Sequence, residues 1–276
     1  MVTATNSIVH QREDDLTFRG ATLHYRTYGT GPRVVLAFHG YGQDSSHFQP
    51  LAEKTQDYTL YSFDLFYHGK SRWKDRPEVL QPEEWMTMIA EFLEQKKVEE
   101  FSLLGYSMGA RFALALVPRF AAQIDKIVLI APDGIKTSFW YRLTTGPSLV
   151  RWIFKKTINQ PVYFLQFSKI LYRIGLVDKG LVKFARHQMD TAEKRSRVYY
   201  SWTVFRKIRP QLDALAKILN RHHIPVILFS GQYDKIIKTK NLDRLARRLQ
   251  NCQVLELPSG HNYLIAAVAD YCTQRG

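Results

Sequence analysis

Residues 101–116 read FSLLGYSMGARFALAL: a short apolar run, then Gly105-Tyr106-Ser107-Met108-Gly109, then a helical pattern. Phe101 to Leu104 has the composition of a buried strand, and Met108 to Leu116 that of a helix. Glycines two positions before and two after a serine mark a sharp turn at which backbones pass closely. Such a turn lifts the Ser107 hydroxyl off the end of a strand. It also aims the first N–H groups of the helix at any negative charge formed there. The stretch therefore predicts a nucleophile. A serine hydroxyl is weak unless a base takes its proton, and the base needs an acid to orient it.

Working outward, apolar runs at Val34–Phe38, Thr59–Phe63, Lys126–Ile130, Val226–Phe229 and Gln253–Leu257 alternate with helical patterns. Residues 16–28 read as two further strands joined at Gly20-Ala21. Helices are expected over Ser46–Lys54, Pro82–Lys97, Leu212–Asn220, Leu242–Leu249 and Asn262–Cys272. Strands alternating with helices imply parallel pairing and right-handed crossovers. The strand Val226–Phe229 runs into Ser230-Gly231-Gln232-Tyr233-Asp234, and the last strand into Pro258-Ser259-Gly260-His261. Asp234 and His261 thus follow Ser107 in the order acid, then histidine, each at a strand's C-terminal end. Asp133 also ends a strand and is a second candidate for the acid.

With these residues in place the chain resembles the α/β-hydrolase superfamily. His39-Gly40-Tyr41-Gly42 resembles that family's oxyanion loop, and residues 64–71, DLFYHGKS, its D-L-P-G-x-G-x-S segment. Phe66 and Tyr67 replace the usual proline and glycine. The resemblance implies an α/β fold with a mostly parallel eight-stranded sheet, helices on both faces, and an inserted helical cap. It implies a catalytic triad of Ser107, Asp234 and His261. The oxyanion would rest on the backbone N–H groups of Tyr41 and Met108. Arg111, Tyr106 and Tyr41 are the candidate substrate-binding side chains. His39 reads as structural, and Asp64, His68 and Ser71 as scaffold. Serine at the elbow argues against the dehalogenases and epoxide hydrolases of the superfamily, which use aspartate there.

The alternation breaks between Ile135 and Pro210. We read residues 1–134 and 211–276 as the core domain and 135–210 as the cap. The chain has 276 residues and a formal net charge of +14, yet this segment holds sixteen basic residues against three acidic ones. The remainder, with 23 basic and 22 acidic residues, is nearly balanced. Fourteen aromatics accompany the charge. Within Ser148–Ile158, Arg151 and Lys155 are expected on one face, with Trp152, Ile153 and Phe154 elsewhere. One reading is an amphipathic lid with aromatics inward and lysines in water. The other is a lid that meets an anionic membrane surface or an anionic acyl substrate. Nucleic acid is not expected, since no binding motif accompanies the charge.

No signal peptide or membrane span is evident, and mean hydropathy is −0.27. Two cysteines, Cys252 and Cys272, form no metal spacing. A reduced cytoplasmic enzyme is expected, with no metal and no organic cofactor; oligomeric state is left open. The expected function is hydrolysis of a small-molecule carboxylic ester or thioester with a hydrophobic acyl or aryl part. Two rivals stand beside it. Gly-Tyr-Ser-Met-Gly-Ala-Arg resembles the elbow of the menaquinone-pathway synthase, a triad-dependent lyase for an anionic substrate, and carbon–carbon bond hydrolases share the pattern. A non-catalytic binding protein is the third reading, disfavoured because all three triad residues are present.

Overall fold

The computed structural model describes residues 11–55, 57–75, 78–135, 145–160, 162, 166, 172–173 and 190–274, the side chains of 157–159 excepted. The chain divides into two compact units: Met1–Arg76, Gln81–Lys136 and Ile208–Gly276 form one, Pro77–Leu80 and Thr137–Lys207 the other.

The first unit is built on an eight-stranded sheet: β1 (Gln11–Phe18), β2 (Ala21–Tyr28), β3 (Arg33–Phe38), β4 (Tyr58–Phe63), β5 (Phe101–Tyr106), β6 (Ile124–Ile130), β7 (Val226–Gly231) and β8 (Cys252–Leu257). Their spatial order is β1-β2-β4-β3-β5-β6-β7-β8. β1 pairs antiparallel with β2, and β2 with β4; every other pairing is parallel. The chain leaves β3 toward β4 on one side and later returns to β5 on the other. That reversal makes the C-terminal ends of β3 and β5 a topological switch point, where open α/β sheets place their ligands.

The short helices are α1 (Gln49–Ala52), α2 (Pro82–Lys96), α3 (Gly109–Leu114) and α4 (Val117–Phe120), with α7 (Leu212–Arg221), α8 (Asp243–Ala246) and α9 (Leu264–Thr273) after the second unit. Helix α2 starts on a proline at its first turn, has Glu83 and Glu84 there and Lys96 in its last, and stops at Lys97 in the left-handed region. It buries Trp85, Met88, Ile89, Phe92 and Leu93, a stripe at helical spacing. Trp85 packs on Phe38 and Phe112, and its Nε1–H donates to the Phe112 carbonyl at 3.1 Å. On the opposite face Ala37, Leu104 and Tyr106 meet Leu264, Ile265 and Val268 of α9. The two faces of β3 and β5 are thus buried by different helices.

Several expected elements differ in extent. β1 begins at Gln11, five residues earlier than its alternation suggests, because it pairs with all of β2. Ser46–Lys54 is a 3₁₀ turn, Ser45–Phe48, followed by α1, and Leu242–Leu249 is broken into Thr239–Asn241 and α8. The helix after Ser107 ends at Leu114, and Pro118 opens the separate turn α4. Residues 261–263 form a 3₁₀ turn before α9.

In the second unit, α5 (Ser148–Asn159) and α6 (Ala192–Val204) pack together, with the Phe154 ring 5.4 Å from Tyr199 and 6.0 Å from Trp202. The three apolar residues divide: Phe154 turns toward α6 while Trp152 and Ile153 stay exposed. Seven of the fourteen aromatics, Phe139, Trp140, Tyr141, Tyr163, Phe164, Phe167 and Phe184, lie outside the described residues. Among the described residues no helix is long and apolar enough to cross a membrane.

Candidate active site

Ser107 stands at φ 48°, a left-handed conformation that few non-glycine residues adopt. The turn is held from both sides: the Ser107 N–H donates to the Ile130 carbonyl at 2.9 Å, and the Asp133 N–H to the Ser107 carbonyl at 3.0 Å. The flanking glycines answer to space. A Cβ on Gly109 would lie 1.8 Å from the Phe38 carbonyl oxygen, and one on Gly105 2.5 Å from Ala110 Cα. Helix α3 can therefore start directly against the ends of β3 and β5. Met108 lies where the N–H groups of a helix have no intrahelical acceptor.

His261 reaches this serine from the loop after β8. Its Nε2 is 3.2 Å from Ser107 Oγ, and its Nδ1 is 2.6 Å from Asp234 Oδ2. Burial would push the Asp234 carboxyl up. The His261 hydrogen bond and the Ile237 and Ile236 N–H groups outweigh it, holding the carboxyl below its ordinary range. Those N–H groups donate to Asp234 Oδ1 at 2.9 and 2.7 Å. An ionised Asp234 only accepts, so Nδ1 carries the imidazole proton and Nε2 faces the serine as an acceptor. The two loops are tied together by the Gln232 N–H on the Leu257 carbonyl and the Tyr233 N–H on the Ser259 carbonyl. Asp133 is engaged elsewhere: its Oδ1 accepts the Gly134 N–H at 2.7 Å, and its Oδ2 is 3.7 Å from Arg111 NH1.

The β3 end supplies the other wall. His39 is fully buried; its Nδ1 donates to the Gly40 carbonyl at 2.7 Å and its Nε2 accepts the Leu65 N–H at 2.9 Å. Burial depresses the imidazole pKa, against the Gly40 hydrogen bond, so His39 is neutral. It joins the Gly40-Tyr41 turn to the loop after β4. There Asp64 accepts the Ser45 and Lys70 N–H groups at 2.6 Å each. Ser71 Oγ donates to the Asp64 carbonyl. In this loop Tyr67 takes φ 65°, a left-handed conformation, at the position where the family's pattern has glycine.

Arg111 and Tyr106 both point inward. Arg111 is 5% exposed, and its Nε donates to the Ile208 carbonyl at 2.9 Å. Tyr106 is buried against Gly40, its ring 5.2 Å from the His261 ring, and its hydroxyl donates to the His261 carbonyl at 2.8 Å. Burial, with the nearby Asp234 charge, pushes its phenol pKa up. The sequence did not single out Gln43, whose Oε1 accepts the Gly40 N–H at 3.0 Å and whose Nε2 meets His47 Nε2. Its place three residues past a glycine turn was the available signal. Among the described residues no group of His, Cys, Asp and Glu could hold a metal.

The family model for serine aminopeptidase S33 (Hydrolase_4) matches residues 31–260. A pyrrolizixenacetamide deacetylase from Xenorhabdus hominickii is 30% identical over 87% of this chain and 88% of its own. Lipase 3 from Moraxella sp. (strain TA144) is 20% identical over 86% of this chain and 74% of the lipase. Among solved structures, a malate-bound thermophilic esterase from Thermogutta terrifontis superposes with a TM-score of 0.69. It is 18% identical and covers 95% of this chain and 96% of its own.

Proposed function

The chain belongs to the serine aminopeptidase S33 family of α/β-hydrolases, and from that premise we propose a serine hydrolase that forms an acyl-enzyme on Ser107. Its substrate is a carboxylic ester or thioester with a hydrophobic acyl or aryl part. The observation that carries this reading is the hydrogen-bonded run from Asp234 through His261 to Ser107, ending on a serine held at positive φ. His261 Nε2 takes the Oγ proton as Oγ attacks the acyl carbon, and the carbonyl electron pair moves to oxygen. The Tyr41 and Met108 N–H groups receive that oxyanion. Collapse expels the alcohol or thiol, which leaves with the proton from His261. Water then attacks the acyl carbon and gives a proton to the same nitrogen; the carbon–Oγ bond breaks, Oγ takes that proton back from His261, and the acid leaves. Asp234 keeps the imidazole in the tautomer both steps require. Residues 135–210, read as the cap, select the acyl part.

Amide hydrolysis is the second reading, favoured by the 30% identity to a deacetylase. The chemistry is the same, with an amine as leaving group. The test is turnover of p-nitrophenyl esters of graded length, an acyl thioester and an N-acetyl amide, with pyruvate release followed for the lyase rival. Ser107→Ala is expected to lose about 10⁴-fold or more in kcat and to stop reacting with a fluorophosphonate probe. A folded Ser107→Ala protein of undiminished activity would sink the mechanism.

A further inference from the structure

Helix α5 presents a second apolar face that stays exposed. Phe154 is spent on Tyr199 and Trp202 of α6. Leu149, Trp152 and Ile153 share another face at three- and four-residue spacing, and are 66%, 54% and 48% exposed. Five of the nine large hydrophobics exposed among the described residues lie in this unit. The face is also cationic. Lys155 and Lys156 are exposed beside it, and Lys156 Nζ lies 4.0 Å from the Trp152 ring centroid. The helix sequence SLVRWIFKKTIN contains no acidic residue. The acids of α6 and its approach are occupied locally, Asp190 by Lys194 and Glu193 by Arg197.

We propose that α5 docks the protein on an anionic phospholipid bilayer, with Leu149, Trp152 and Ile153 entering the headgroup–acyl boundary and Lys155 and Lys156 meeting lipid phosphates. Charge complementarity selects this occupant, since the helix belongs to a segment with sixteen basic and three acidic residues. A second copy is disfavoured by size: among the described residues the stripe offers three apolar side chains on one helix, against the roughly 20–30 residues a side of a stable protein interface. A bilayer needs no matching shape; it offers apolar depth under a layer of negative charge. Lysine stems can lie along the stripe while their ammonium groups stay in the headgroups. This surface is independent of which acyl bond Ser107 attacks.

The experiment is co-sedimentation of the full chain with vesicles of equimolar phosphatidylcholine and phosphatidylglycerol, against phosphatidylcholine alone. Binding is expected to the anionic vesicles only, to fall with added salt, and to quench or shift tryptophan fluorescence. Trp152→Ser with Ile153→Ser is expected to weaken it at least tenfold, and Lys155→Glu with Lys156→Glu likewise, given about fivefold per basic residue near such a surface. Circular dichroism checks that both variants are folded. The proposal is overturned if the chain stays in the supernatant at low salt, or if it binds neutral vesicles equally well. It is also overturned if both folded variants bind like the parent. Retention on poly-glutamate without vesicle binding would overturn it in favour of an acidic protein partner.

Discussion

At Ser107 the left-handed backbone costs a non-glycine residue about 1–2 kcal/mol, offset by the hydrogen bonds that fix the turn, from the Ser107 N–H to the Ile130 carbonyl and from the Asp133 N–H to the Ser107 carbonyl. The neighbouring Tyr106 is the side chain that joins the Gly40 turn to His261. Its hydroxyl holds the His261 carbonyl, and its ring fills the space Gly40 leaves. Tyr106→Phe is expected to lower kcat roughly tenfold, within the ~10²-fold that small misplacements cost. KM should hold, in steady-state kinetics on one ester. His39 carries a pH prediction. Burial holds it neutral in the fold, so the unfolded chain binds more protons and stability rises with pH. The contribution is complete above the ordinary imidazole value of 6.5 and is lost as pH falls below it. The slope is at most about 1.4 kcal/mol per pH unit. Thermal melts of wild type and His39→Gln across the neutral-to-acid range should show a steeper decline in the wild type.

At the scale of elements, the site depends on how closely α3 approaches β3. Gly109→Ala would drive a methyl into the Phe38 carbonyl and separate Met108 from the Gly40-Tyr41 turn. Its expected cost exceeds about 4 kcal/mol, read by urea denaturation or as loss of folded protein. Gly260→Ala, beside His261 but with nothing within 4 Å of the added carbon, should stay within about 0.5 kcal/mol of wild type. Trp85 anchors α2 between Phe38 and Phe112, so Trp85→Ala is expected to cost about 3–5 kcal/mol without altering the pH dependence of turnover.

Over the whole molecule, charge and chemistry are segregated. Ser107, Asp234, His261, Tyr41 and Met108 belong to one compact unit, while most of the basic excess belongs to the other. Exchanging residues 137–207 for the corresponding insertion of another serine hydrolase should change the preferred acyl length in p-nitrophenyl ester assays. Labelling of Ser107 by a fluorophosphonate should persist, since Asp234, His261, Tyr41 and Met108, the groups proposed to activate it, lie outside the exchanged segment.

The glycine spacing around Ser107, the strand–helix alternation and the placing of Ser107, Asp234 and His261 at strand ends were legible in the sequence, because each is a local period or an order along the chain. The limits of the 239–246 and 45–52 helices were not, since short turns there satisfy the backbone without a long apolar stripe. Only tertiary structure showed which carboxylate meets His261: both Asp234 and Asp133 end a strand, but the sheet order brings the β7 loop to His261 and leaves Asp133 with Arg111. It likewise turned Arg111 inward, set Tyr106 on the His261 carbonyl, and left Trp152 outside while burying Phe154. In each case the residue type was plain in the sequence. Its direction was not, because direction is fixed by partners that only the packed sheet and helices bring within reach.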